Sequence, residues 1–221
     1  VSNKSAERRY TTFPLEARKS HSGGDSIGGY AAVFNKPSQN LGGFVEEVDP
    51  SFFNDSRGKN WPNVVARFNH DDSFLLGTTA GRTLTLGVDG TGLDYTVEPP
   101  KARADIVELV KRGDIQRSSF AFVTHEDEWG VTDQNFPKRR LISGTLVDVA
   151  PVVSPAYLDT SAGLRSLALR VDASEEEIRS LADAGELRKL FVRTDTPSTA
   201  KPKTFGPAAV ARLLANREGP K

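Results

Sequence analysis

The chain has no cysteine and no methionine among its 221 residues, and its charges cancel, with Lys+Arg and Asp+Glu at 29 each. The first absence excludes a disulfide framework, a thiolate metal site and a cysteine nucleophile, and it fits a reducing compartment. The cancelled charge leaves no bulk field to attract a polyanion, so neither nucleic acid nor an acidic membrane surface is an expected partner. A nucleic-acid-binding barrel would show a basic stripe with interleaved aromatics, and here Lys and Arg are dispersed among acids. Long apolar runs are also missing. Nothing approaches the roughly 20 residues that span a bilayer, and the N-terminal stretch lacks the apolar centre of a secretion signal, so a soluble, cytoplasmic protein is expected. Val1 in first place suggests a removed initiator or a trimmed chain. The length suits one domain with appendages, or a medium domain and a small one.

Against those absences one stretch stands out, Gly113-Asp114-Ile115-Gln116-Arg117-Ser118-Ser119-Phe120-Ala121-Phe122-Val123. As a strand it has two unlike faces. Ser118, Phe120, Phe122 and Thr124 point one way, and Ser119, Ala121, Val123 and His125 the other. The phenylalanine face is expected to be buried. The other leaves Ser119 beside an alanine, unshielded, as a nucleophile admitting a large substrate requires; a plain solvent-facing serine would give the same pattern.

Residues 1–24 form a polar lead-in with one strand near Tyr10 to Leu15, where little chemistry is expected. The domain proper spans residues 25–160. Gly28 to Phe34 reads as a buried strand closed by Asn35-Lys36-Pro37, Phe44 to Val48 as a second strand, and Asp49 to Phe53 as a turn entering a brief helix. Val64 to His70 alternates, with Val64, Ala66, Phe68 and His70 on one face, so His70 ends a strand. The runs Leu75 to Thr79, Thr83 to Leu86 and Gly92 to Val97 have the spacing of an antiparallel meander. A helix over Lys101 to Arg112, with Ile106, Leu109 and Val110 on one stripe, ends at Gly113. Trp129 to Pro137 reads as a polar loop and Leu141 to Val153 as a long strand or strand pair carrying Asp148. A carboxylate among such apolar neighbours needs a partner.

Beyond this lie a helical extension over 161–193, a linker over 194–206 and a short amphipathic helix in 207–221. Ser174-Glu175-Glu176-Glu177 is a capping-box signature for a helix running to about Phe191. The last helix, about Pro207 to Asn216, is too short to be stable alone and is expected to dock or be disordered.

His70, Ser119 and Asp148 each sit on an expected strand and each conflict with their surroundings. A serine hydroxyl attacks a carbonyl once a base takes its proton, and the base works best when an acceptor fixes its tautomer. Ser118 competes as nucleophile, though it shares the phenylalanine face. Asp71 and Asp72 compete to orient His70, and His125 shares the parity of Ser119. A metal site from His70, Asp71, Asp72 and His125 lacks the helical two-histidine spacing of a zinc protease.

The ordered motifs resemble those of the tailed-phage prohead (capsid maturation) protease family, relatives of the herpesvirus assemblins. They are Gly29-Tyr30-Ala31-Ala32-Val33-Phe34-Asn35, Gly43-Phe44-Val45-Glu46-Glu47-Val48, Phe68-Asn69-His70-Asp71 with Leu76-Gly77, and Gly90-Thr91-Gly92-Leu93. Arg117 to Phe122, Leu146 to Val153 and Ser154-Pro155-Ala156-Tyr157 complete the set. The resemblance implies an α+β fold, mainly β: a mostly antiparallel assemblin-like β-barrel with flanking helices and a C-terminal helical tail. It also implies a cofactor-free serine endopeptidase that cuts scaffold and capsid precursors, and itself, inside the procapsid in the host bacterial cytoplasm. By that resemblance Ser119 is the nucleophile, His70 the general base, and Asp148 stands where relatives carry a glutamate in Glu-Val-Ser. Arg139 or Arg140, in the loop before the Asp148 strand, would aid the developing oxyanion, the other reading being a solvated surface arginine. The tail is expected to be a tether or a segment the enzyme removes, with self-association possible. A non-catalytic capsid-assembly component using the barrel and tail helices for binding is the alternative.

Overall fold

The computed structural model describes residues 6–20, 23–153 and 161–191. The Ser154 to Tyr157 motif, the linker and the last helix lie outside the described residues. In chain order the elements are β1 (Glu7–Thr11), β2 (Glu16–Lys19), β3 (Asp25–Val33), β4 (Val45–Val48), α1 (Asn54–Gly58), β5 (Val65–Arg67), β6 (Leu75–Thr78), β7 (Leu84–Val88) and β8 (Gly92–Val97). They continue with α2 (Ala104–Arg112), β9 (Arg117–Val131), β10 (Pro137–Val152), α3 (Ser161–Val171) and α4 (Glu175–Asp183).

The strands form two open sheets, so the expected closed barrel is not what the chain builds. One sheet has six strands in the order β1-β9-β10-β5-β6, with β4 also on β10; the other has four in the order β2-β3-β8-β7. Pairing is antiparallel for most neighbours, but β10 and β5 run parallel, with Asp148 opposite Val65. The expected meander is divided. β6 turns back on β5 in the first sheet, while β7 pairs with β8 in the second. Local alternation marks β6, β7 and β8 as strands but not the sheet each joins.

Two compact units divide the chain. Of the described residues, the first comprises 6–20, 23–36, 48–126 and 141–153, the second 37–47, 127–140 and 161–191. In the first unit Phe120 and Phe122 stack at 4.8 Å and meet Phe53 and Phe52 edge-on at 5.8 and 5.3 Å. Ile27, Leu93, Tyr95 and Val97 of the second sheet join the same apolar cluster, as do Ile106, Val107 and Val110 of α2. The phenylalanine face of β9 is therefore buried, as its alternation required. Gly113 closes α2 in the left-handed region (φ 83°), its N–H returning to Leu109 and Val110.

In the second unit Arg139 is fully buried between two carboxylates, 2.9 Å from Glu46 and 2.6 Å from Asp127. Ser166 of α3 donates to the same Asp127 at 2.6 Å. Phe44 packs on Trp129 at 5.0 Å, and Gly163 permits α3 to approach Phe44 where a Cβ would come within 2.8 Å of the ring. The capping box forms, with Ser174 accepting from Glu177 N–H and the Glu177 side chain accepting from Ser174 N–H.

Three local readings change. Trp129 is not in a loop, because β9 continues to Val131 and β10 starts at Pro137. α4 stops at Asp183, not near Phe191, because Gly185 takes φ 66° and a short 3-10 turn over Leu187–Leu190 follows. The N-terminal stretch contributes two strands, of which β1 lies along β9.

Candidate active site

Each of the three conflicted side chains sits in the first unit and is delivered by different backbone logic. Ser119 is on β9, where the two-residue period turns its Oγ away from the Phe120–Phe122 stack. Asp148 lies on the neighbouring β10. His70 does not end a strand on the apolar face, as its alternation suggested: β5 stops at Arg67, and Phe68–His70 is a 3-10 turn. Asn69 (φ 53°) and His70 (φ 57°) both enter the left-handed region. Asn and His tolerate that region better than β-branched residues do, and the Asn69 carboxamide oxygen anchors the turn by accepting from Val153 N–H at 3.0 Å.

The result is a chain of short contacts. His70 Nδ1 is 2.6 Å from Asp148 Oδ1, and His70 Nε2 is 2.6 Å from Ser119 Oγ. A carboxylate can only accept, so Nδ1 carries the ring proton and Nε2 of the neutral ring is an acceptor facing the hydroxyl. The side chains of His70 and Asp148 are 1% and 2% exposed. Such burial makes the charge on Asp148 costly unless partners meet it. His70 meets Oδ1, and Arg67 Nη1 lies 3.4 Å from Oδ2.

Ser119 Oγ has a second neighbour that its strand pattern did not signal. The Arg9 carbonyl of β1 accepts from it at 2.8 Å. The single hydroxyl proton thus has two acceptors, Arg9 O and His70 Nε2, and rotation about the C–O bond exchanges them. The lead-in where little chemistry was expected therefore contacts the nucleophile candidate. β1 is held there by antiparallel register, Tyr10 opposite Ser119, and by a buried network in which Glu7 accepts from Arg9 at 3.0 Å and from Thr124 at 2.6 Å. Ser119 is only 3% exposed. The open approach anticipated from the small Ala121 is not observed, because β1 covers the edge of β9 and Ala121 is itself buried.

The competing residues have other direct partners. Ser118 is fully buried on the opposite face, its Oγ 3.2 Å from the Tyr95 hydroxyl; burial pushes the Tyr95 phenol well above its usual range. His125 is exposed and meets Thr145 through Nε2 at 3.1 Å. Asp71 accepts from Ser73 N–H at 2.8 Å, and Asp72 pairs with Arg67 at 2.7 Å. Among the described residues no group of three or more His, Cys, Asp or Glu could hold a metal ion. Arg139 and Arg140 are on β10, not in a loop, and Arg139 is not a solvated surface residue. A guanidinium already balanced by Glu46 and Asp127 has little positive potential to offer an oxyanion.

Residues 12–173 match the profile of the caudovirus prohead serine protease family. The chain belongs to that family. A prohead serine protease is a capsid maturation protease, and the matched span contains His70, Ser119 and Asp148. Comparison with curated proteins and with solved structures gives no match. Among the described residues no helix is long and apolar enough to cross a membrane.

Proposed function

We propose that this prohead protease is a serine endopeptidase in which Ser119 is the nucleophile, His70 the general base and Asp148 the carboxylate that orients it. The observation that supports the reading is the pair of 2.6 Å contacts through one imidazole, from Asp148 to His70 and from His70 to Ser119. When substrate is bound, the Ser119 proton passes to His70 Nε2 as Oγ bonds to the peptide carbonyl carbon. The imidazolium is stabilised by Asp148 and then gives that proton to the leaving amine as the C–N bond breaks. Water repeats the sequence on the acyl-enzyme, with His70 taking its proton, and releases Ser119. No cofactor enters these steps.

The substrates in this reading are capsid and scaffold precursors inside the immature head within the host bacterium, and self-cleavage and self-association belong to the same reading. The kinship to herpesvirus assemblins rests on the sequence motifs alone. Intact mass of the full chain and of Ser119→Ala, each incubated with the cognate capsid and scaffold precursors, tests it. Time-dependent precursor fragments with the parent and none with the variant are expected. Equal fragmentation by both would move the nucleophile elsewhere, and intact precursor with both folded chains would favour a non-catalytic assembly component.

A further inference from the structure

Asp148 has two oxygens and His70 uses one of them, which leaves the other to be held by something else. Parallel register places Asp148 beside Val65, and Arg67, two residues further along β5, points to the same face as Val65 and so as Asp148. Its Nη1 is 3.4 Å from Asp148 Oδ2 and 2.7 Å from Asp72 Oδ1. Asp72 is 85% exposed and Arg67 25%, so the guanidinium spans from solvent to the buried carboxylate. From these contacts we infer that Arg67 is a positioning residue for the proposed reaction, acting through Asp148 on His70; the inference rests on the assignment of Ser119, His70 and Asp148.

Two effects follow from that placement. Nη1 of Arg67 lies between Asp72 Oδ1 and Asp148 Oδ2, and its charge draws Oδ2 to that side, which leaves Oδ1 to meet Nδ1. Its charge also offsets that of Asp148, the buried carboxylate that His70 meets. His70 meets Asp148 from β10 and Ser119 from β9; Arg67 at the end of β5 and Asp72 beyond the turn lie behind Asp148, and Tyr10 of β1 is opposite Ser119.

The test uses a fluorophosphonate probe, which needs no identified substrate: Ser119 Oγ bonds to phosphorus, fluoride leaves and His70 takes the proton. Labelling rates are measured against pH for the parent, Arg67→Gln, Arg67→Lys and Ser119→Ala. Arg67→Gln should label about tenfold more slowly at neutral pH, and its acid limb should move up by about one pH unit, because a cation that opposed the imidazolium is gone. Arg67→Lys keeps the charge but moves it onto a single flexible ammonium, so its limb should stay in place while its rate falls severalfold. A Gln limb superimposed on the parent's, or a Lys variant labelled at the parent rate, would overturn the inference even if stability changed. Ser119→Ala should be silent. If it labels like the parent, the underlying assignment fails, an outcome distinct from failure of Arg67 alone.

Discussion

Asp148 is one methylene shorter than the glutamate that the resemblance leads one to expect, and here the shorter side chain reaches His70 at 2.6 Å. The site therefore has no slack for the longer residue. Asp148→Glu adds volume at a position 1% exposed and should lower labelling about tenfold or more, whereas Asp148→Asn, which favours the wrong imidazole tautomer, should cost about 10⁴-fold. Steady-state labelling or cleavage rates check both. Equal activity for the Asn variant would remove Asp148 from the orienting role. At this scale much was legible in the sequence. Alternation separated Ser119 from Ser118, and the apolar surroundings of Asp148 called for a partner. Missed were the positive φ at Asn69 and His70, hidden in a run that reads as continuous strand, the Arg9 carbonyl, which carries no side-chain signal, and Arg67, whose contact with Asp148 depends on a parallel strand pairing.

Among the elements, β1 is held beside the nucleophile by a buried carboxylate. Glu7→Ala removes the carboxylate that meets both buried Arg9 and Thr124, and should destabilise the fold by about 3 kcal/mol, as loss of one partner of a buried pair does. A thermal melt of variant against parent measures this; an unchanged Tm would show that β1 is held by its backbone pairing alone. α4 offers a calibrated comparison. Ser174→Ala breaks the capping box and should cost about 1 kcal/mol, read in the exchange of α4 amide protons. That cap was plain from Ser-Glu-Glu-Glu. The helix over Ser161–Val171 is legible only as part of a helical extension over 161–193, and the closeness of Phe44 explains its Gly163.

For the molecule as a whole, the mainly β character follows from short alternating runs, but closure into a barrel does not. β6 and β7 are adjacent in the chain and belong to different sheets, a choice made by tertiary packing. Between β2, β3 and α2, Asp25 holds the ionic contacts at 2.6 Å to Lys19 and 2.7 Å to Lys111. Hydrogen bonds from Lys111 and then Lys19 lower its carboxyl from 3.8 to about 2. A depressed folded-state value means stabilisation present above the unfolded value and lost as pH falls through the folded one. The stability difference between parent and Asp25→Asn should therefore be constant above pH 3.8 and shrink toward pH 2. Denaturant melts across that window check it, and a difference that persists at the acid end would contradict the assignment.

The proposed reaction requires Ser119 to be the side chain that His70 activates. Mass mapping of the fluorophosphonate adduct on the full folded chain tests that most directly, with Ser119→Ala and His70→Ala beside it. The account predicts one adduct, on the peptide carrying Ser119 and at that residue, with Ser119→Ala unlabelled and His70→Ala slower by about 10⁴-fold or more. An adduct on Ser118 or on another serine, or labelling of Ser119 that is indifferent to His70, would contradict it.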